Sequence, residues 1–164
     1  MEQRFYVDPV LYEGRPQDTA GRQARELAVY DLLDRLGIAY ARADHDPAMT
    51  IADCGAVDRL LGVAMCKNLF LCNAQRTAFY LLLLPGTKPF RTKDLSRQIG
   101  SARLSFADAA HMEEYLDILP GAVSVMGLMN DHGGRVRLLI DREVTNAPYV
   151  GCHPCVNTSS LRIR

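Results

Sequence analysis

A chain of 164 residues with 48% apolar and 23% charged side chains has the makings of one domain that buries its core without disulfide or metal staples. Nineteen Lys and Arg balance nineteen Asp and Glu, which argues against a globally basic nucleic-acid binder. The longest run of large apolar residues, 79–84, is too short to span a membrane, and the polar start Met1-Glu2-Gln3-Arg4 lacks the apolar core of a secretory signal.

Residues 1–20, with Pro9, Gly14 and Pro16, read as an irregular segment ahead of a single domain over 21–164. Val29, Leu32, Leu33 and Leu36 recur at helical spacing and predict a helix over about 21–36, stopped by Gly37. Ile38 and Tyr40 alternate as in a strand. Thr50 with Asp53 resembles a capping box that opens a helix ending near Gly62. Residues 68–72 and 77–84 read as strands, and Pro85-Gly86 as a turn. A short helix is expected over 92–99, stopped by Gly100, and another to about Leu116, capped from Ser105 or Asp108. Residues 123–129 and 135–140 read as strands joined by a hairpin loop at 130–134. Strands and helices mix without regular alternation. That predicts an α+β domain around a mixed, mostly antiparallel sheet.

Charge is uneven along the chain. Lys88, Arg91, Lys93, Arg97 and Arg103 face a single acid, Asp94, within 86–103. Such a stretch suits a polyanion, and it equally suits an ordinary solvated face. Five cysteines, Cys54, Cys66, Cys72, Cys152 and Cys155, are an odd number with no signal before them, which fits free thiols in a reducing cytoplasm. Cys152-His153-Pro154-Cys155 has half the ligands of a structural zinc site, but no second paired knuckle supplies the rest. A thioredoxin-like redox pair would need a strand-to-helix junction, so small buried thiols are the plainer reading.

Three other segments carry candidate chemistry. His153, between Gly151-Cys152 and Pro154, sits on stiff backbone where it can hydrogen-bond a ligand. Lys67, in Cys66-Lys67-Asn68, either finds a polar or anionic partner in a partly buried place or snorkels to the surface; the residues alone leave both open. The small residues Gly121, Ala122, Val123 and Ser124 after Pro120 form either a loop that admits a ligand close to the backbone or a plain turn. Ser124 is a potential nucleophile, although no Ser-His-Asp arrangement is compelled.

Together these segments resemble a known family. "ELAVYDLLDRLGIAY", "DHDPAMTI", "CKNLFL", "FYLLLLPGTKPFRTKDLSRQIGSARLSFA", "PGAVSVMGLMND", "VRLLID" and "GCHPCVNTSSL" occur in family order over about 22–161. The chain is similar to the YbaK/prolyl-tRNA synthetase-associated domain family of free-standing editing enzymes, and within it to the PrdX, or ProXp-ala, branch. The resemblance implies one α+β domain with a barrel-like sheet flanked by helices. It implies hydrolysis of the ester between a wrong amino acid and tRNA, chiefly alanine on proline tRNA, in the cytoplasm, with no metal and no cofactor. It assigns the functional lysine to Lys67 beside Asn68, the pocket loop to 121–125, and the Gly-x-His-Pro motif to Gly151, Cys152, His153 and Pro154, with Asn157 and Thr158 in support. Two departures fall at the amino-acid pocket. Val125-Met126 stands where the commoner loop has Pro-Phe, and Cys152 stands where an aromatic residue is usual. The resemblance therefore carries the reaction class further than the choice of alanine. Relatives commonly continue into one more helix after the position of Arg164, so a truncated domain is expected.

On this reading Lys67 holds a phosphate or the ester oxygen, and backbone N–H groups of Gly121, Ala122, Val123 and Ser124 line the carbonyl. His153 orients the α-amine or water, and the terminal ribose 2′-OH assists, as the resemblance suggests. Asn68, Gly151 and Asn157 contact substrate, and Val125 and Met126 wall a pocket sized to spare proline. Lys88, Arg91, Lys93, Arg97 and Arg103 bind acceptor-stem phosphates. The partners are then aminoacyl-tRNA and prolyl-tRNA synthetase, with no membrane. A homodimer is entertained, although the sequence does not specify assembly. The competing readings are a deacylase for serine- or cysteine-charged tRNA, a non-catalytic module that holds tRNA or a synthetase, and a zinc or thiol-redox protein.

Overall fold

The computed structural model describes residues 4–164. The first helix, α1 (Ala24–Arg35), buries Val29, Tyr30 and Leu33 on one face and leaves Asp31, Asp34 and Arg35 in solvent. Ile38 N–H donates to Leu33 O at 2.9 Å, and Gly37 takes φ 68°, so the chain turns where the glycine predicts. It enters strand β2 (Tyr40–Asp44), which the short β1 (Tyr12–Glu13) flanks on one side. The next helix opens on a reciprocal cap. Asp53 accepts from Thr50 N–H at 3.0 Å and Thr50 Oγ1 accepts from Asp53 N–H at 3.3 Å. A 3₁₀ turn (Ala52–Cys54) leads from it into α2 (Gly55–Leu61), which Gly62 ends in the left-handed conformation.

Strands β3 (Cys66–Asn73) and β4 (Phe79–Pro85) form a hairpin, followed by α3 (Thr92–Ile99), β5 (Leu104–Phe106) and α4 (Ala109–Leu116). Asp108, not Ser105, caps α4, accepting from His111 N–H at 2.8 Å. Beyond α4 the structure departs from the alternation in the sequence. The stretch expected as a strand at 123–129 is a 3₁₀ helix (Val125–Asn130), capped by Ser124 Oγ accepting from Met126 N–H. Its apolar residues pack against the core from one side, and Gly127 sits so close that a Cβ there would lie 2.5 Å from Ile118 Cδ1. No hairpin forms at 130–134. Strand β6 (Val136–Ile140) instead runs parallel to β4, with Asp131 accepting from Arg135 N–H and Val136 N–H at its start. A local turn signature cannot report which distant strand will be the neighbour.

A short α5 (Arg142–Asn146) leads to β7 (Val150–Cys152) and β8 (Ser159–Ile163). The strands make two four-stranded sheets, ordered β1-β2-β8-β7 and β5-β3-β4-β6. All pairings but β4–β6 are antiparallel. Among the described residues one bridge, Met65 to Gly151, joins the sheets, which remain open where the sequence reading expects a barrel-like sheet. The largest core cluster packs α1, α4 and the 3₁₀ helix around Tyr30, Phe70, Leu81 and Leu161. A second cluster holds α2 against β2, and a third holds α3 against β3 and β4.

Candidate active site

The site follows from what β3 leaves unpaired. Asn73 N–H donates to Ala78 O across the hairpin, so odd-numbered residues of β3 bond to β4. Phe70 O accepts from Ala107 N–H on the opposite side, so the backbone groups of even-numbered residues face away from β4. On that side β5 pairs with Leu71, Cys72 and Asn73, and the bridge from Met65 to Gly151 sets β7 against the start of the strand. The edge between them, at Asn68, is paired by neither strand. A cleft of about 230 Å³ lies there.

Lys67 and Asn68 both line the cleft. Strand alternation sends them to opposite faces of the sheet. The Lys67 ammonium donates to Lys88 O in the loop after β4 and has no carboxylate partner among the described residues. Asn68 Oδ1 accepts from Val125 N–H at 2.9 Å, and its Nδ2 donates to Cys66 O at 3.4 Å. Asn68 thus ties the 121–125 loop to the open edge.

In that loop Gly121 and Val123 face the cleft, whereas Ala122 is buried on another side. Gly121 takes φ 91°, and a Cβ there would stand 3.0 Å from Met49 Cε. Ala122 N–H donates to Leu119 O, but those of Gly121, Val123 and Ser124 find no protein acceptor among the described residues. Ser124 is fully buried, and its hydroxyl donates to His153 O. Its proton is committed to fixing the backbone of His153, so it is not poised as a nucleophile. Val125 and Met126 pack against the core and do not line the cleft.

His153 lines the cleft, with Nδ1 3.0 Å from Ser159 O. Burial pushes its pKa down to about 4, so the ring is neutral near pH 7. Gly151 does structural work. A Cβ there would lie 2.9 Å from Ala64 O, so only glycine lets β7 meet β3. Asn157 stands at the mouth, where its Nδ2 lies 3.1 Å from Met49 Sδ and its backbone O accepts from Ala48 N–H.

Met49, Ile51, Met65 and Leu69, which no sequence motif singles out, supply the apolar lining. The signal was the Thr50–Asp53 cap, which pins this loop over the β3 edge. Cys152 and Cys155 are buried, with pKa values pushed up to about 12 by burial, and behave as packing groups. Among the described residues no cluster of three or more His, Cys, Asp or Glu is disposed to hold a metal.

The basic stretch divides. Lys88 pairs with Asp141 and Glu143 at 2.8 Å each, and Arg91 pairs with Asp94 at 2.8 Å. Lys93, Arg97 and Arg103 are exposed and have no carboxylate partner among the described residues. No described helix is long and apolar enough to cross a membrane.

The profile of the family described as the aminoacyl-tRNA editing domain matches residues 45–164. The chain belongs to the aminoacyl-tRNA editing domain family. By family it is therefore an enzyme of the aminoacyl-tRNA deacylase kind. This editing domain is 34% identical over 134 residues to the prolyl-tRNA editing protein ProX of Acetoanaerobium sticklandii, covering 82% of each chain. It is 30% identical over 136 residues to prolyl-tRNA synthetase associated domain-containing protein 1 of Danio rerio, covering 81% of this chain and 73% of that one. Among solved structures, a candidate trans-editing enzyme for prolyl tRNA synthetase superposes with a TM-score of 0.65 at 16% identity, over 85% of this chain and 86% of the other. That likeness is one of fold, and it agrees with the single α+β domain that the sequence predicts.

Proposed function

We propose that this editing domain acts in trans on proline tRNA charged with a wrong small amino acid, alanine first, and hydrolyses the ester. The observation that carries the reading is the composition of the cleft. An ammonium without a carboxylate partner, two free loop N–H groups and a neutral imidazole surround an open strand edge. Water adds to the ester carbonyl, and the carbonyl–oxygen bond to the ribose breaks. The ribose hydroxyl takes one proton, and the amino acid leaves as its carboxylate with release of another. The loop N–H groups of Gly121 and Val123 are the donors for the developing oxyanion. Lys67 supplies positive charge to the ester or its phosphate, and His153 accepts a hydrogen bond from the α-amine, the 2′-OH or the water.

The apolar side chains of Met49, Ile51, Met65, Leu69 and Val123 suit the alanine methyl, and Thr50, Asn68 and His153 in the same lining can bond a hydroxyl, which makes serine the nearest competing substrate. Exclusion of proline is steric, with Met49 restricting the mouth. The tRNA is the partner, prolyl-tRNA synthetase is the source of the mischarged species, and the cytoplasm is the place of reaction. Lys67→Ala tests the reading. Release of alanine should fall about 10²–10³-fold while tRNA binding changes little, as for loss of one transition-state donor. Equal turnover by the variant would remove Lys67 from the chemistry.

A further inference from the structure

Two polar residues beside the cleft remain without a role, His45 and Ser160. Both are buried, His45 at 7% exposure and Ser160 at 0%. They form a chain to His153. His45 Nδ1 lies 2.7 Å from Asp46 O, its Nε2 lies 2.8 Å from Ser160 Oγ, and Ser160 Oγ lies 3.2 Å from His153 Nδ1. The two rings stand 6.2 Å apart.

The protons in this chain can be counted. A backbone carbonyl only accepts, so His45 Nδ1 carries its hydrogen. Burial holds His45 below its ordinary pKa against the nearby charges of Asp44 and Asp46, so the ring is neutral and Nε2 is bare. A bare Nε2 accepts, so the Ser160 hydroxyl donates to it. The oxygen of Ser160 then turns its lone pairs toward His153. Ser159 O is also an acceptor there. His153 Nδ1 must therefore carry the hydrogen, which leaves Nε2 as a bare acceptor with no partner among the described residues.

We infer that His45 is a positioning residue: by engaging the Ser160 hydroxyl it keeps His153 in the tautomer that Ser159 O favours, whose free nitrogen accepts a hydrogen bond in the cleft. The role of His45 is to engage the Ser160 proton. Without it, that hydroxyl is free to rotate and donate to His153 Nδ1, which would move the hydrogen to Nε2 and turn an acceptor into a donor. The inference rests on the proposed deacylase reading only for its catalytic consequence, because the tautomer is a property of the free protein.

The test is imidazole ¹⁵N NMR of wild type, His45→Phe, Ser160→Ala and the double variant, with thermal melts to confirm folding, beside deacylation rates. Wild-type His153 should show a protonated Nδ1 and a bare Nε2. His45→Phe should shift part of the population to the Nε2–H form and lower kcat about tenfold or more, since a wrong histidine tautomer is costly in catalysis. Ser160→Ala removes the competing donor, keeps Ser159 O as the acceptor, and should hold the wild-type tautomer. The double variant should accordingly regain both the tautomer and most of the rate. A purely structural pair would make the double variant no better than His45→Phe. An Nε2–H signal in the wild type overturns the inference, as does an unchanged tautomer in folded His45→Phe. Loss of deacylation by all proteins with the tautomers as described would fault the deacylase reading alone.

Discussion

Burying an imidazole in its uncharged form has a consequence that acid reveals. The His153 pKa falls from the ordinary 6.5 to about 4 through burial, and burial lowers that of His45 as well. The unfolded chain therefore binds these protons more tightly than the native state. The stability they allow is full above about pH 6.5 and is lost as the pH falls toward 4, by on the order of 3 kcal/mol for His153 alone. Asp44 extends the loss downward. Burial raises its pKa, but hydrogen bonds from Arg22, Arg42 and Ser159 outweigh that and hold it at about 2. Urea unfolding midpoints should fall steadily from pH 7 to pH 4, and His153→Phe should flatten the upper part of that fall. At this scale the sequence was informative wherever a residue type implied a chemistry. Lys67, Asn68 and His153 do converge on one cleft. Ser124, Val125 and Met126 carry no mark of which way the loop turns them, and the structure directs them to a backbone cap and to the core.

Among the elements, two contacts shape the cleft, one beneath it and one above. Gly151→Ala would press a methyl against Ala64 O and force β7 away from β3. We expect a loss of about 1–3 kcal/mol, as for other overpacked positions, measured by urea denaturation. Above the cleft, Asp53 Oδ2 accepts from both Met49 N–H and Thr50 N–H. Asp53→Ala should cost about 1 kcal/mol as a lost cap. It should also free Met49, so that hydrolysis of prolyl-tRNA rises relative to that of proline tRNA charged with alanine. Helices with clear stops, such as α3 before Gly100, were legible because their signals are local. The 3₁₀ helix at Val125–Asn130 was not, since a short apolar run reads alike as a strand or as one packed turn.

For the molecule as a whole, zero net charge conceals a local asymmetry. Lys88 and Arg91 are neutralised by neighbours, which leaves Lys93, Arg97 and Arg103 for phosphate. On that proposal, Lys93→Ala and Arg97→Ala should each weaken tRNA binding and flatten the slope of log affinity against log salt by about 0.7–0.9, whereas Lys88→Ala should flatten it less. The parallel β4–β6 pairing and the Met65–Gly151 junction between sheets are non-local facts that no window of sequence states. That junction and the short β5 bound the open edge of β3 that faces the cleft.

The most direct test is to charge proline tRNA separately with alanine, serine, cysteine and proline, and to follow deacylation by wild type and Lys67→Ala side by side. Fast release of alanine that depends on Lys67, with proline spared, is the expected result. Preferred release of serine or cysteine would contradict alanine as the substrate, and no release of any of the four would contradict the deacylase itself.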